Sequence, residues 1–255
     1  MAGKAFSDVI RSVRQYPCHL CPIKSKPVFR KFTNEELEFV AQLKSGELVA
    51  EKGSTILTEG ANSAHVYTIL AGWGFRYKTL EDGRRQILNF VLPGEFIGLQ
   101  AAVMNKMDHS VEALSDMLLC VFQRERIWEL FKYSPSLSFD VTWLAAREER
   151  LVDEHLLNVG RRSAAERMAF LFLHLYDRAE AVGLTTKRGM QIPFTQQHIA
   201  DALGLSLVHT NKTLRKLQRA NLLAWDNKLV TIRQREALEV LAKSGGPTNQ
   251  VRPLI

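Results

Sequence analysis

Residues Phe194 to Arg219, FTQQHIADALGLSLVHTNKTLRKLQR, constrain the fold more than any other stretch of this 255-residue chain. Ile199, Ala202 and Leu203 share one face of a short helix, and small Ala200 lets a second helix come close. Gly204 follows, where a tight turn needs a residue without a Cβ. Ser206 can cap the next helix, in which Leu207, Thr210, Leu214 and Leu217 point inwards. Two helices joined by a three- to four-residue turn make a helix-turn-helix, whose second member enters a DNA major groove. The pattern alone also fits a plain helical hairpin, and charge separates the two. Between Lys187 and Arg235 nine Lys or Arg stand against two Asp, an excess that equals the net charge of the whole chain, +7. The remaining residues sum to zero, so the basic excess sits on the one unit shaped to meet a polyanion.

Other function classes lose ground on composition. At 46% hydrophobic residues the chain reads as one large or two modest folded domains. No apolar run is long enough to span a bilayer. The opening MAGKAFSDVIRSVRQYPCHLC has no apolar core followed by a small-residue cleavage site, so a cytoplasmic location is expected. Three cysteines are too few for a disulfide framework and read as reactive thiols, metal ligands or buried fillers. There is no HExxH, no phosphate-binding loop and no set of nucleophile, His and acid, so no enzyme is expected. His155, His174, His198 and His209 have roles in helices to fill first.

Taken in order, Phe6–Arg14 reads as a short amphipathic helix, and YPCHLCPIKSKP cannot be one because Pro17, Pro22 and Pro27 interrupt it. Residues 1–32 form this cysteine-containing segment. Asn34 and Glu35 open a helix through Leu37, Val40, Ala41 and Leu43. Lys44 to Gln123 reads as sheet, with Gly72, Gly83 and Gly94 spaced 11 apart as in an antiparallel barrel or sandwich. Glu81-Asp82-Gly83 is a hairpin turn, and AAVMNKM is one or two helical turns. Residues 33–134 make this domain. A long helix over 135–160 carries Leu137, Val141, Leu144, Leu151, Val152 and Val159, a seam expected to pack on a twin helix. Gly160 to Arg162 is the hinge, and Ser163 with Glu166 is a capping box for the next helix. Residues 161–243 complete the DNA-binding domain, with a wing hairpin around Asp226-Asn227, and 244–255 reads as a flexible tail.

A glycine-punctuated β-roll, a long helix and a winged helix-turn-helix in that order resemble the CRP/FNR family of bacterial transcription regulators. PGEFIG at Pro93–Gly98, NVGRRSAAERMAFLF at Asn158–Phe172 and FTQQHIADALGLS at Phe194–Ser206 carry the resemblance, which covers roughly residues 14 to 243. It implies an α+β chain: an N-terminal cyclic-nucleotide-binding-like β-roll, a long dimerisation helix and a C-terminal winged helix-turn-helix. It also implies a homodimer on a near-palindromic double-stranded promoter site, in contact with RNA polymerase. The family's cyclic-AMP branch places a Glu and an Arg-Ser pair where this chain has Leu99, His109 and Ser110, so cyclic AMP is not expected. The oxygen-sensing branch holds an iron–sulfur cluster with clustered N-terminal cysteines and one from the roll. Cys18, Cys21 and Cys120 match three of those positions, and the further cysteine expected near Pro27 or Val28 is missing. Three readings of these sensor or metal candidates stay open: an iron–sulfur cluster with a non-cysteine ligand or three irons, a thiol redox switch or other metal, and structural cysteines. In the last, the signal is a different small molecule or there is no ligand. A non-DNA-binding interaction module is the alternative from a different class.

On the second helix of the pair, Ser206, Val208, His209, Asn211, Lys212 and Arg215 are the base-reading candidates. Where the oxygen-sensing branch has a Glu, Ser, Arg pattern, this chain has Val208, Asn211 and Lys212, so its half-site should differ. Val208 can touch a thymine methyl, Asn211 can pair with adenine, and Lys212 can approach guanine or phosphate. Thr195, Lys216, Arg219, Lys228 and Arg233 are the phosphate candidates.

Overall fold

The first helix, α1 (Asn34–Leu43), starts where Thr33 and Glu36 cap each other: Glu36 N donates to Thr33 Oγ1 at 3.1 Å and Thr33 N to Glu36 Oε2 at 2.8 Å. The computed structural model describes residues 16–244 and 251–255, so the helix expected over Phe6–Arg14 lies outside the described residues. Arg30 grips the same Glu36 carboxylate through Nη1 at 2.8 Å and Nη2 at 2.9 Å, and its Nε reaches Asp140 at 2.8 Å. These donors, Arg30 first, lower the Glu36 carboxyl to about 2. Its share of stability is therefore present above about 4.5, the ordinary value, and is lost as pH falls towards 2. Denaturant unfolding of the wild type and Glu36→Gln should show a gap at neutral pH that closes in acid. A gap constant down to acid pH would remove this ion pair from the acid response.

Two compact units make up the chain. The first holds the described residues up to Arg76, with Val91–Arg147 and Val251–Ile255, and the second holds Tyr77–Phe90 and those of Glu148–Gln250. Eight strands follow α1: β1 (Lys44–Ala50), β2 (Thr55–Leu57), β3 (His65–Ala71), β4 (Gly74–Thr79), β5 (Arg85–Val91), β6 (Phe96–Ile97), β7 (Ser110–Ala113) and β8 (Met117–Gln123). Between β6 and β7 lies the short helix α2 (Leu99–Met104). The strands form two sheets in the orders β1-β8-β3-β6 and β2-β7-β4-β5. Tyr67, Ile69, Ile97, Met107, Val111 and Leu119 belong to one buried apolar cluster, the core of the roll. In the PGEFIG turn, Gly94 takes φ +82°, and a Cβ there would fall 2.0 Å from the Phe29 ring. That glycine is what lets the N-terminal segment lie against the roll.

Helix α3 (Ile127–Tyr133) precedes the 27-residue α4 (Pro135–Arg161). Here the structure corrects the expected dimer seam. Leu137, Val141, Leu144 and Leu151 are buried inside the protomer, while Val159 is half-buried. The stripe that faces outwards is Phe139, Thr142, Ala146, Glu149, Val152 and Leu156, of which Leu156 is 67% exposed. A helix lays its most apolar stripe on its own unit first, and only the second-best stripe is left for a partner.

In the second unit α5 (Ala164–Ala181) begins at the expected Ser163–Glu166 capping box. Strands β9 (Thr185–Thr186) and β10 (Gly189–Gln191), helices α6 (Gln196–Leu203) and α7 (Leu207–Arg219), strands β11 (Leu223–Asp226) and β12 (Leu229–Ile232), and helix α8 (Arg235–Ala242) follow. The small sheet runs β11-β12-β10-β9. Trp225 stands edge-on to Phe172 at 5.9 Å and to Phe194 at 6.1 Å, which ties the wing to the helices. The expected flexible tail needs a second correction: its residues 251–255 are placed in the first unit, with Arg252 to Ile255 buried. Its Leu and Ile find an apolar seat, which a tail read only for its glycines and polar residues does not reveal.

Candidate nucleic-acid interface and sensor cavity

Helix α6 is capped by Thr195, whose Oγ1 accepts from His198 N at 3.4 Å, while Thr195 N donates to His198 Nδ1 at 3.0 Å. Ile199, Ala200, Ala202 and Leu203 are buried, and Gly204 takes φ +63° at the turn. Ser206 then caps α7 by accepting from His209 N at 3.2 Å. Thr210, Thr213, Leu214 and Leu217 face inwards, and Leu207, in the first turn, lies out instead.

That burial leaves one continuous open face. Val208 is 79% exposed, and Ser206, His209, Lys212, Arg215, Lys216 and Arg219 are exposed with it. Asn211 is only half-exposed, and its Oδ1 is buried with no protein partner. Adenine recognition needs that oxygen as acceptor together with the amide donor, so Asn211 must turn before it can read a base. The wing presents Lys228 at its tip, where Asn227 (φ +43°) and Lys228 (φ +66°) are both left-handed, as a two-residue hairpin loop requires. Thr195, Lys228 and Arg233 are exposed. The arrangement is a positive, helix-borne surface with one apolar side chain among its donors.

Sequence reasoning missed what holds this head. In the second unit the β4–β5 hairpin reaches α6: Arg85 Nε and Nη2 donate to Asp201 Oδ2 at 3.0 and 2.9 Å, and Gln86 Nε2 donates to Ala202 O at 3.2 Å. Arg178 of α5 donates to Asn89 Oδ1 at 2.8 Å and to Phe90 O at 2.6 Å. The Arg84-Arg85 pair next to a hairpin glycine was the only local signal, and nothing in it names Asp201.

The three cysteines do converge. Cys18 and Cys21 stand on a 3₁₀ turn in which Cys21 N donates to Cys18 O at 3.2 Å, and Cys120 lies on β8 opposite Glu47 and Thr68. All three line one cavity of about 30 Å³ with Lys44, Phe122, Leu254 and Ile255. Lys44 Nζ donates to Tyr16 O at 2.6 Å and to Glu47 Oε1 at 2.5 Å. Burial pushes the Cys120 thiol up to about 12 and raises that of Cys18, with Lys44 opposing in both.

An iron–sulfur cluster does not fit these residues as arranged. The chain has three cysteines, and among the described residues no group of three His, Cys, Asp or Glu side chains is placed to hold a metal ion. The cavity between the thiols is small, about 30 Å³. Where a cyclic nucleotide would need ribose and phosphate partners, Leu99 begins α2 and His109 accepts from Arg76 Nε at 3.0 Å. Ser110 Oγ accepts from Glu59 N at 2.9 Å, so both polar side chains have partners inside the roll.

Comparison with known proteins follows the same division. The family model for the cyclic nucleotide-binding domain matches residues 41–134, and that for the Crp-like helix-turn-helix domain matches 166–241. The transcriptional activatory protein AadR of Rhodopseudomonas palustris is 33% identical over 168 residues, 66% of this chain and 69% of that protein. The nitrogen fixation regulation protein FixK of Rhizobium meliloti is 31% identical over 206 residues, 79% of this chain and 90% of that protein. The structure of FixK2 from Bradyrhizobium japonicum superposes with a TM-score of 0.70 at 28% identity, covering 79% of this chain and 98% of that one. No helix among the described residues is long and apolar enough to cross a membrane.

Proposed function

The chain belongs to the CRP/FNR family of transcription regulators, and on that premise we propose that it works as a homodimer on a near-palindromic promoter site and acts through RNA polymerase. It is a DNA-binding transcription regulator. The observation that carries the finer reading is the open face of α7, which offers Val208, His209, Lys212 and Arg215 to a groove, with Lys216 and Arg219 beside them. Two such helices related by a two-fold axis would meet half-sites about one DNA turn apart.

A binding selection over randomised DNA separates the roles. Lys212→Ala should relax preference at one base pair of each half-site, by about 1–3 kcal/mol for a direct base contact. Lys216→Ala and Arg219→Ala should weaken binding evenly across sequences and flatten its salt dependence. A selected motif untouched by Lys212→Ala and Val208→Ala would remove α7's open face as the reader.

The signal belongs to the thiols in this reading, because two distant stretches of chain bring three of them around one cavity. Oxidation by hydrogen peroxide would take two electrons and two protons from Cys18 and Cys21, form one S–S bond, break the O–O bond and release two waters. Oxidised wild type should then differ in promoter affinity from reduced by at least about fivefold, the lower end of ordinary coupling between sites. Equal affinity of wild type and a triple Cys→Ser protein, with and without oxidant, would end the proposal of redox control.

A further inference from the structure

Residues 251–255 are seated in the first unit as an added extended segment. Arg252 N donates to Val28 O at 2.8 Å, and Arg30 N donates to Arg252 O at 2.9 Å, a parallel bridge at Phe29. The Arg252 side chain is buried: its guanidinium lies 4.7 Å over the Phe29 ring, and Nη2 donates to Pro93 O at 3.1 Å. Glu95, 2% exposed, faces Arg252 Nη1 at 3.6 Å and Arg147 Nη2 at 3.5 Å. Beyond Arg252 the segment is apolar. Leu254 and Ile255 are buried in the wall of the cavity that Cys18, Cys21 and Cys120 line, and Thr68 Oγ1 donates to Ile255 O.

A buried arginine is tolerated only where partners meet it, so this seat is built for one sequence rather than for any tail. We propose that Val251–Ile255 is a peptide clasp that closes the cysteine cavity, and that its docking and chemical modification of those thiols exclude one another. The cavity is small, about 30 Å³, and the ring that N-ethylmaleimide adds to Cys120 is larger than that. Such a group must displace part of the wall. The other walls are the turn at Tyr16 to Lys24 with Phe32, α1 and the strands of the roll. The turn carries Cys18 and Cys21 themselves and is tied to Lys44 through Tyr16 O at 2.6 Å, so the short segment carrying Leu254 and Ile255 is the wall proposed to leave. By linkage, docking of the clasp and the modified state of the thiols disfavour each other by the same free energy at equilibrium. Closure of the cavity stands on this geometry and not on the thiol reading above.

The experiment uses the full chain carrying Cys18→Ser and Cys21→Ser, so that Cys120 is the single thiol, and measures its rate of alkylation by N-ethylmaleimide by mass spectrometry. Adding Arg252→Ala should raise that rate at least tenfold, and ending the chain at residue 250 should raise it further. In the reverse direction, the alkylated but otherwise unchanged protein should lose amide-exchange protection at Arg252 while β8 keeps its own. Equal alkylation rates in folded proteins overturn the clasp, as does protection at Arg252 that survives alkylation. If the shortened chain does not fold, the exchange measurement on the intact chain decides. A failed clasp leaves redox control of DNA binding to be judged by the triple Cys→Ser protein, and equal affinity there leaves the clasp standing.

Discussion

Aspartate at both Val152 and Leu156 should leave a folded protein that no longer dimerises and binds its promoter weakly. Both side chains stand on the outward stripe of α4, 43% and 67% exposed in the protomer, so charge there disturbs little within one chain. In a two-fold dimer each position counts twice. At about 1.5 kcal/mol for each apolar side chain buried, four of them amount to roughly 6 kcal/mol, or about four decades in the dimer dissociation constant. The control separates association from folding. Aspartate at Leu144 or Leu151, which are buried within the protomer, should unfold the chain instead, by the cost of an unpaired buried charge. Sedimentation and circular dichroism together check both halves. A double aspartate variant at Val152 and Leu156 that still sediments as a dimer would move the interface elsewhere.

Removing the Glu95 carboxylate should destabilise the first unit by roughly 3–5 kcal/mol, because a buried ion pair broken from one side leaves its partners uncompensated. Two guanidiniums are left: the side chains of Arg147 and Arg252 are only 10% and 6% exposed. For a unit of this size the loss corresponds to a fall in Tm of roughly 10 °C. Glu95→Ala should show the full effect, and Glu95→Gln should sit between it and wild type because the amide oxygen still accepts. A Glu95→Ala transition within about 0.5 kcal/mol of wild type, the range of an ordinary surface change, would mean that solvent reaches these arginines.

Much of the architecture was legible because its determinants are local. Thr33 with Glu36, Ser163 with Glu166 and Ser206 before α7 each satisfy backbone donors within three residues, so their spacing alone predicts where helices start. Gly204 marks its turn because only the absence of a Cβ makes the left-handed backbone easy. The surplus of Lys and Arg over 187–235 is a sum over residues and survives any fold.

What the chain's order could not settle were choices among partners distant in sequence. Apolar periodicity on α4 marks stripes without saying which one its own unit takes, so Leu144 and Leu151 were assigned to a partner and turned out to be core. Arg85 meets Asp201 across 116 positions, and neither residue's neighbours distinguish it from a solvated charge. Asn211 shares the sequence face of Lys212, yet packing around α7 buries its oxygen. The convergence of Cys18, Cys21 and Cys120 was implied by resemblance alone; the roll's register places them together, and the burial that raises the thiol of Cys120 follows from it. Arg252 shows the difference most plainly. Five residues at 251–255 carry no periodicity, and their place depends on a carboxylate, a ring and a glycine at Glu95, Phe29 and Gly94. Caps, turns and net charge are properties of neighbours along the chain and can be read from it. Burial and pairing are properties of neighbours in space, where many placements compete and only the folded structure selects one.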